Sequence, residues 1–136
     1  MRSSEGAARR FKDEAEAQER CVYWQAALRL EDWDVDVRIV NGNDMDQCWG
    51  QITAYRRFGS AVLKLSTIHT DQDGDEIDQE QSLVHELLHL RFDAIEDCID
   101  RDSYQYTLYE RAIDQLAWSL VKMDRAKAQD IPLPSL

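Results

Sequence analysis

The stretch Val84-His85-Glu86-Leu87-Leu88-His89-Leu90 contains three ionisable side chains within an otherwise apolar segment. Apolar residues continue on both sides, so we predict a largely buried helix from about Asp78 to Asp97. Acidic residues at its start suit the positive end of the helix dipole, and Asp75 or Asp78 is the predicted cap.

The segments outside this helix predict two more helices and three strands. Strict alternation of apolar and polar residues over Trp33–Ile39 is typical of a half-buried strand. Two further strands, Trp49–Arg56 and Ala61–Leu65, are separated by a short glycine-containing turn and predict a hairpin. The remaining helices are predicted over Ala7–Leu30 and Ser103–Ala128.

This order of elements predicts the α+β class. We expect a small antiparallel or mixed sheet of three to four strands, packed against the N-terminal helix, the helix carrying His85 and His89, and the C-terminal helix. The chain has 136 residues, of which 43% are hydrophobic, so residues 1–136 are expected to form a single domain.

Composition restricts the partners. The formal net charge of -11 disfavours contact with phosphate backbones, so no nucleic-acid partner is expected. The apolar runs are too short to cross a bilayer, and the first residues contain no apolar signal segment. Three cysteines without a CxxC pair favour reduced thiols. Together these features predict a cytoplasmic protein with no membrane partner.

The spacing of the two histidines indicates a metal site. Residues four apart share one face of a helix, so His85 and His89 can reach one ion at about 2.0–2.1 Å. Glu86 is displaced around the helix and can instead reach a water molecule on that ion. The alternative is an idle match on a surface helix. The apolar surroundings argue against it, because buried polar side chains are costly without partners.

A third ligand must then be a carboxylate or His69. The carboxylate candidates are Asp93, Glu96, Asp97, Glu110 and Asp114. In the last helix Glu110 and Asp114 fall inside or beside the apolar arc, where carboxylates are rarely left unpaired. One interpretation is that they form salt bridges at the wet edge of this arc. The other is that Glu110 binds the metal and Asp114 hydrogen-bonds a ligand imidazole.

The motif His85-Glu86-Leu87-Leu88-His89, followed by Asp93 and then by Glu110-Arg111-Ala112-Ile113-Asp114, resembles the thermolysin-type gluzincin pattern of zinc metallopeptidases. The resemblance covers roughly Ile77–Met123, and the small size is similar to minigluzincins and to compact phage or prophage HExxH proteins. It implies Zn²⁺ held by His85, His89 and Glu110. It also implies that Asp114 hydrogen-bonds a zinc-bound imidazole and that Asp93 lies beside the ligands.

We therefore expect a zinc-dependent peptidase in which Glu86 is the general base. Tyr106, one turn before Glu110, is the candidate oxyanion stabiliser. A protein or peptide substrate is expected to bind extended along an edge strand, for which we predict Ala61–Leu65. The alternatives are a regulatory protein that acts on one dedicated protein partner, and a zinc-binding protein without general proteolytic activity.

Overall fold

A computed structural model describes residues 8–45 and 48–128. The elements are α1 (Glu14–Ala27), β1 (Asp34–Val40), β2 (Gly50–Tyr55), β3 (Ser60–Ser66), α2 (Gln79–Arg91), α3 (Asp93–Glu96) and α4 (Tyr104–Ala128), with short 3-10 turns at Gly42–Asp44 and Arg56–Phe58. The predicted α+β class is confirmed. Within the described residues, α1 and α2 pack on one mixed sheet of three strands, and α3 and α4 contact α2.

The sheet has the order β1-β3-β2, so β3 lies in its centre. β3 pairs in parallel with β1 and antiparallel with β2, which confirms the predicted hairpin. The prediction that Ala61–Leu65 is an edge strand is wrong, because both of its sides are hydrogen-bonded to other strands. Ala61, Leu63 and Leu65 are almost fully buried, as expected for a central strand. The free edge beside α2 belongs to β2.

The first helix is shorter than predicted. It begins after Asp13, whose side chain accepts a hydrogen bond from the backbone N–H of Glu16 at 2.9 Å. Before Asp13 the described chain is not helical and lies against the start of α2. The Phe11 N–H donates to the Gln79 side chain at 2.7 Å, and the Gln79 N–H donates to the Arg9 carbonyl at 2.8 Å. Ala7, the predicted start, lies outside the described residues.

The helix predicted over Asp78–Asp97 is divided in two. Asp78 caps α2 as expected, since its side chain accepts a hydrogen bond from the Gln81 N–H at 3.0 Å. α2 ends at Arg91, and its cap Phe92 has a non-helical backbone with φ of -102° and ψ of 17°; the single turn α3 follows. This break matters for the metal site, because it changes which acidic side chain returns to His89.

α2 is the central helix, in contact with α1, β2, β3, α3 and α4. Its apolar face and the sheet share one core, joined by three residues of α4: Ile113, Ala117 and Val121. The most buried apolar side chains of α2 are those of Leu83, Val84, Leu87 and Leu88, each at most 2% exposed. Among the described residues no helix is long and apolar enough to cross a membrane.

Candidate metal centre

His85 and His89 lie on the part of α2 that faces α4. Their ring centroids are 5.1 Å apart, and their side chains are 19% and 14% exposed. Buried leucines on the opposite face of the same helix hold this orientation. The predicted pairing of the two imidazoles on one helical face is therefore present.

Glu110 of α4 completes a group that could hold a metal ion. Its Oε1 is 3.1 Å from His89 Nε2, and its Oε2 is 3.9 Å from His85 Nε2. One ligand atom from each of the three residues lies within 4.8 Å of the other two. Ligand atoms of a tetrahedral site with bonds near 2.0–2.1 Å lie about 3.3 Å apart, so only a small adjustment would be needed. His69, the alternative ligand, is an exposed loop residue outside this group.

Asp114 lies one turn beyond Glu110 and contacts the other nitrogen of His85. The Asp114 Oδ1 to His85 Nδ1 distance is 3.1 Å, and Gln81 donates to the same carboxylate oxygen at 2.8 Å. A carboxylate partner favours the proton on Nδ1, which leaves the Nε2 lone pair free for a metal. The contact of Asp114 with a ligand imidazole is predictable from the sequence, whereas the contact of Gln81 with Asp114 is not.

Glu96, not Asp93, is the corresponding partner of His89. The Glu96 Oε1 to His89 Nδ1 distance is 2.7 Å. Asp93 instead pairs with Arg56, whose Nη2 is 2.8 Å from Asp93 Oδ1. The predicted place of Asp93 beside the ligands is therefore wrong. In an unbroken helix Asp93 would follow His89 by one turn on the same face, but the break at Phe92 brings Glu96 back to it.

The side chain of Glu86 extends from α2 to Gly50, the first residue of β2. A Cβ placed on Gly50 would be 3.1 Å from Glu86 Cγ and 3.4 Å from Glu86 Oε2, so the carboxylate side chain lies directly against this strand. Burial raises the pKa of Glu86, although the charges of His85 and His89 oppose the shift. A carboxylate with a raised pKa is a better proton acceptor once it is ionised.

The charges of the three ligand candidates are coupled. The hydrogen bond from His89 lowers the pKa of Glu110 despite its partial burial. Burial alone would lower the pKa of His89, but Glu110, Glu86 and Glu96 together raise it to about 9. His89 is therefore protonated at neutral pH in the metal-free protein. A metal ion that binds there must displace this proton, so its apparent affinity falls as the pH falls below about 9.

Two tyrosines of α4 border the centre. Burial together with the neighbouring Glu110 carboxylate raises the pKa of Tyr106 to about 12. Its hydroxyl is thus protonated at neutral pH and lies beside the ligand group. Its role as an oxyanion stabiliser stays a prediction. The Tyr109 ring packs edge-on against His89, with ring centroids 5.9 Å apart.

Comparison with protein families, curated proteins and solved structures gave no match. The assignment of this centre therefore depends on its own geometry.

The geometry predicts an order of metal affinity among four alanine variants. Glu110→Ala should lose most of the affinity, because it removes a ligand. Asp114→Ala and Glu96→Ala should each weaken binding by ~10–100-fold, since each releases one imidazole. Asp93→Ala is the matched control and should bind as the wild type does.

Zinc titration against a competing chelator, with melting curves for each variant, measures this order. The titrations should be compared at two pH values, because Glu96 also raises the pKa of His89. Full affinity in Glu110→Ala would contradict the three-residue site. A loss in Asp93→Ala that exceeds the loss in Glu96→Ala would contradict the assignment of the His89 partner.

Proposed function

We propose that this protein is a zinc-dependent peptidase in which His85, His89 and Glu110 hold the metal and Glu86 is the general base. One observation carries the proposal. The two Nε2 atoms converge on the Glu110 carboxylate, while both Nδ1 atoms are occupied by Asp114 and Glu96. An arrangement of this kind is suited to binding a cation and has its ligands oriented in advance.

The donor set favours zinc. Two imidazoles and one carboxylate are the protein ligands of many catalytic zinc sites, which keep a fourth position open. A zinc ion bound there would supply a Lewis acid that polarises a peptide carbonyl and makes a water molecule more acidic. The side chains of Glu110 and His89 are partly accessible, so a substrate can approach them.

Glu86 would move the proton. It is outside the ligand group, yet it lies next to both histidines in the helix. It can take a proton from the attacking water and deliver it to the nitrogen of the departing amine, which balances the hydrolysis of a peptide bond. A purely structural metal site has no need of such a residue, and this favours the peptidase over a structural zinc protein.

The free edge of β2 supports a peptide substrate. Within residues 8–45 and 48–128, β2 has one strand neighbour, β3, and its first residue lies against Glu86. An extended peptide that added to the other edge would be held by backbone hydrogen bonds and would pass the general base. β2 thus replaces Ala61–Leu65 as the proposed docking strand. The resemblance of the same motif residues to gluzincins favours this class of substrate.

The proposed function predicts one bound zinc per chain and cleavage of unfolded casein. A chelator should abolish the cleavage, and added zinc should restore it, because Glu86 alone cannot activate water sufficiently. Metal analysis of the purified protein and an assay of casein fragments test both statements. Zinc binding without cleavage of casein would favour a structural zinc protein or a peptidase dedicated to one partner. A protein without zinc after growth in its presence would contradict the proposal.

A further inference from the structure

Gly50 is unusual for a residue at the start of a strand. Glycine weakens strands because it adds backbone freedom and offers no side chain for packing. Its backbone does not require glycine, since the described glycines with positive φ are Gly59 and Gly74. Another property of this position must therefore explain the absence of a side chain.

The available space supplies the explanation. An added Cβ at Gly50 would lie 3.1 Å from Glu86 Cγ, 3.4 Å from Oε2 and 3.6 Å from Cδ. All three nearest atoms belong to the same glutamate. The helix backbone under Glu86 cannot retreat, because Val84, Leu87 and Leu88 are fixed in the core. The side chain of Glu86 is flexible and can turn away. A methyl group at position 50 would therefore leave the fold intact and shift the Glu86 side chain, with its carboxylate, by a few tenths of an ångström.

We propose that Gly50 is a positioning residue for the general base: its missing side chain lets the Glu86 side chain lie against the face of β2 at the first residue of this edge strand. This inference rests on the proposed peptidase function. A peptide paired with the edge of β2 would pass close to the carboxylate at the first residue of the strand. The same contact thus places the base and the substrate backbone together, and small errors in such placement are costly for catalysis.

The test compares Gly50→Ala with Gly74→Ala. For Gly50→Ala we expect kcat to fall by ~3–10-fold, with KM, zinc affinity and the melting temperature close to those of the wild type. Gly74 has no atom within 4 Å of an added Cβ but has a φ of 82°. Gly74→Ala should therefore lower the melting temperature and leave kcat unchanged. Wild-type kcat in folded Gly50→Ala would overturn the proposal.

A double-mutant cycle separates positioning of Glu86 from other effects. In a Glu86→Gln background, Gly50→Ala should produce little further loss of kcat, because the base is already absent. A full additional loss would show that Gly50 acts elsewhere and would overturn the proposal.

A crystal structure of metal-free Gly50→Ala tests the geometry without any activity. We expect the Glu86 carboxylate to be displaced from its place beside β2. An unmoved carboxylate would reject the positioning role. A displaced carboxylate in a protein without peptidase activity would support that role and reject the proposed function alone.

Discussion

Glu86→Gln is expected to bind zinc almost as tightly as the wild type while its rate of peptide cleavage falls by ~10²–10⁴-fold. Glutamine has nearly the same size as glutamate, and Glu86 does not belong to the ligand group. The substitution therefore removes the proton acceptor and keeps the metal. Burial raises the pKa of Glu86, so the folded protein disfavours the charged carboxylate. A neutral glutamine at this position should therefore not destabilise the folded protein.

This prediction can be measured with a quenched fluorescent peptide and by metal analysis of the same preparations. Glu19→Gln is a suitable control, because Glu19 is an exposed residue of α1. It makes the same chemical change at a distance from the centre, and its kinetics should match those of the wild type. Equal activity in Glu86→Gln would mean that another group is the base.

The second large effect concerns a buried acidic side chain at the start of α2. Glu80 is only 1% exposed. It accepts hydrogen bonds from Arg20 at 2.6 Å and from Trp24 at 2.9 Å, and Arg9 and Arg125 lie 3.3 and 3.7 Å from it. These contacts join α1, α4 and the N-terminal segment to the helix that carries both histidines.

Glu80→Ala is expected to lower the free energy of unfolding by about 3 kcal/mol. It leaves three arginines and an indole N–H without their shared acceptor, but partial exposure of the arginines moderates the cost. A loss of this size corresponds to a fall of roughly 10 °C in melting temperature for a domain of this length. Exposed Glu19→Ala should change the free energy by no more than about 0.5 kcal/mol.

The pH dependence of this effect has a definite sign. Burial alone raises the pKa of Glu80, but Trp24, Arg20 and Arg9 together lower it below its usual value. A lowered pKa stabilises the folded protein above the pKa of the unfolded chain, and this stabilisation is lost as the pH falls through the folded value. The stability difference between wild type and Glu80→Gln should therefore be full at pH 7 and shrink below about pH 4. A difference that is constant down to pH 3, measured by urea unfolding, would contradict the role of the ionised carboxylate.

Local periodicity was sufficient to predict much of this molecule. The alternation in β1, the hairpin of β2 and β3 and the positions of α2 and α4 all follow from side-chain patterns repeated within a few residues. The pairing of His85 with His89 depends on helix geometry alone. Glu110 and Asp114 could be predicted because two carboxylates beside an apolar arc need partners, and one helical turn separates them.

Contacts between different helices and strands follow only from the tertiary structure, because they depend on how these elements are oriented and spaced. The sequence does not show whether β1 pairs with β2 or with β3, because both strands of the hairpin have a face that packs on the core. The prediction that β3 is an edge strand failed for this reason. The helix is interrupted at Phe92, and Glu96, not Asp93, contacts His89. The role of Gly50 follows only from its contact with Glu86. The role of Glu80 follows only from its contacts with three arginines that are distant in the chain. Sequence patterns report which face of an element is buried, whereas the neighbour that covers a given side chain depends on how the elements pack.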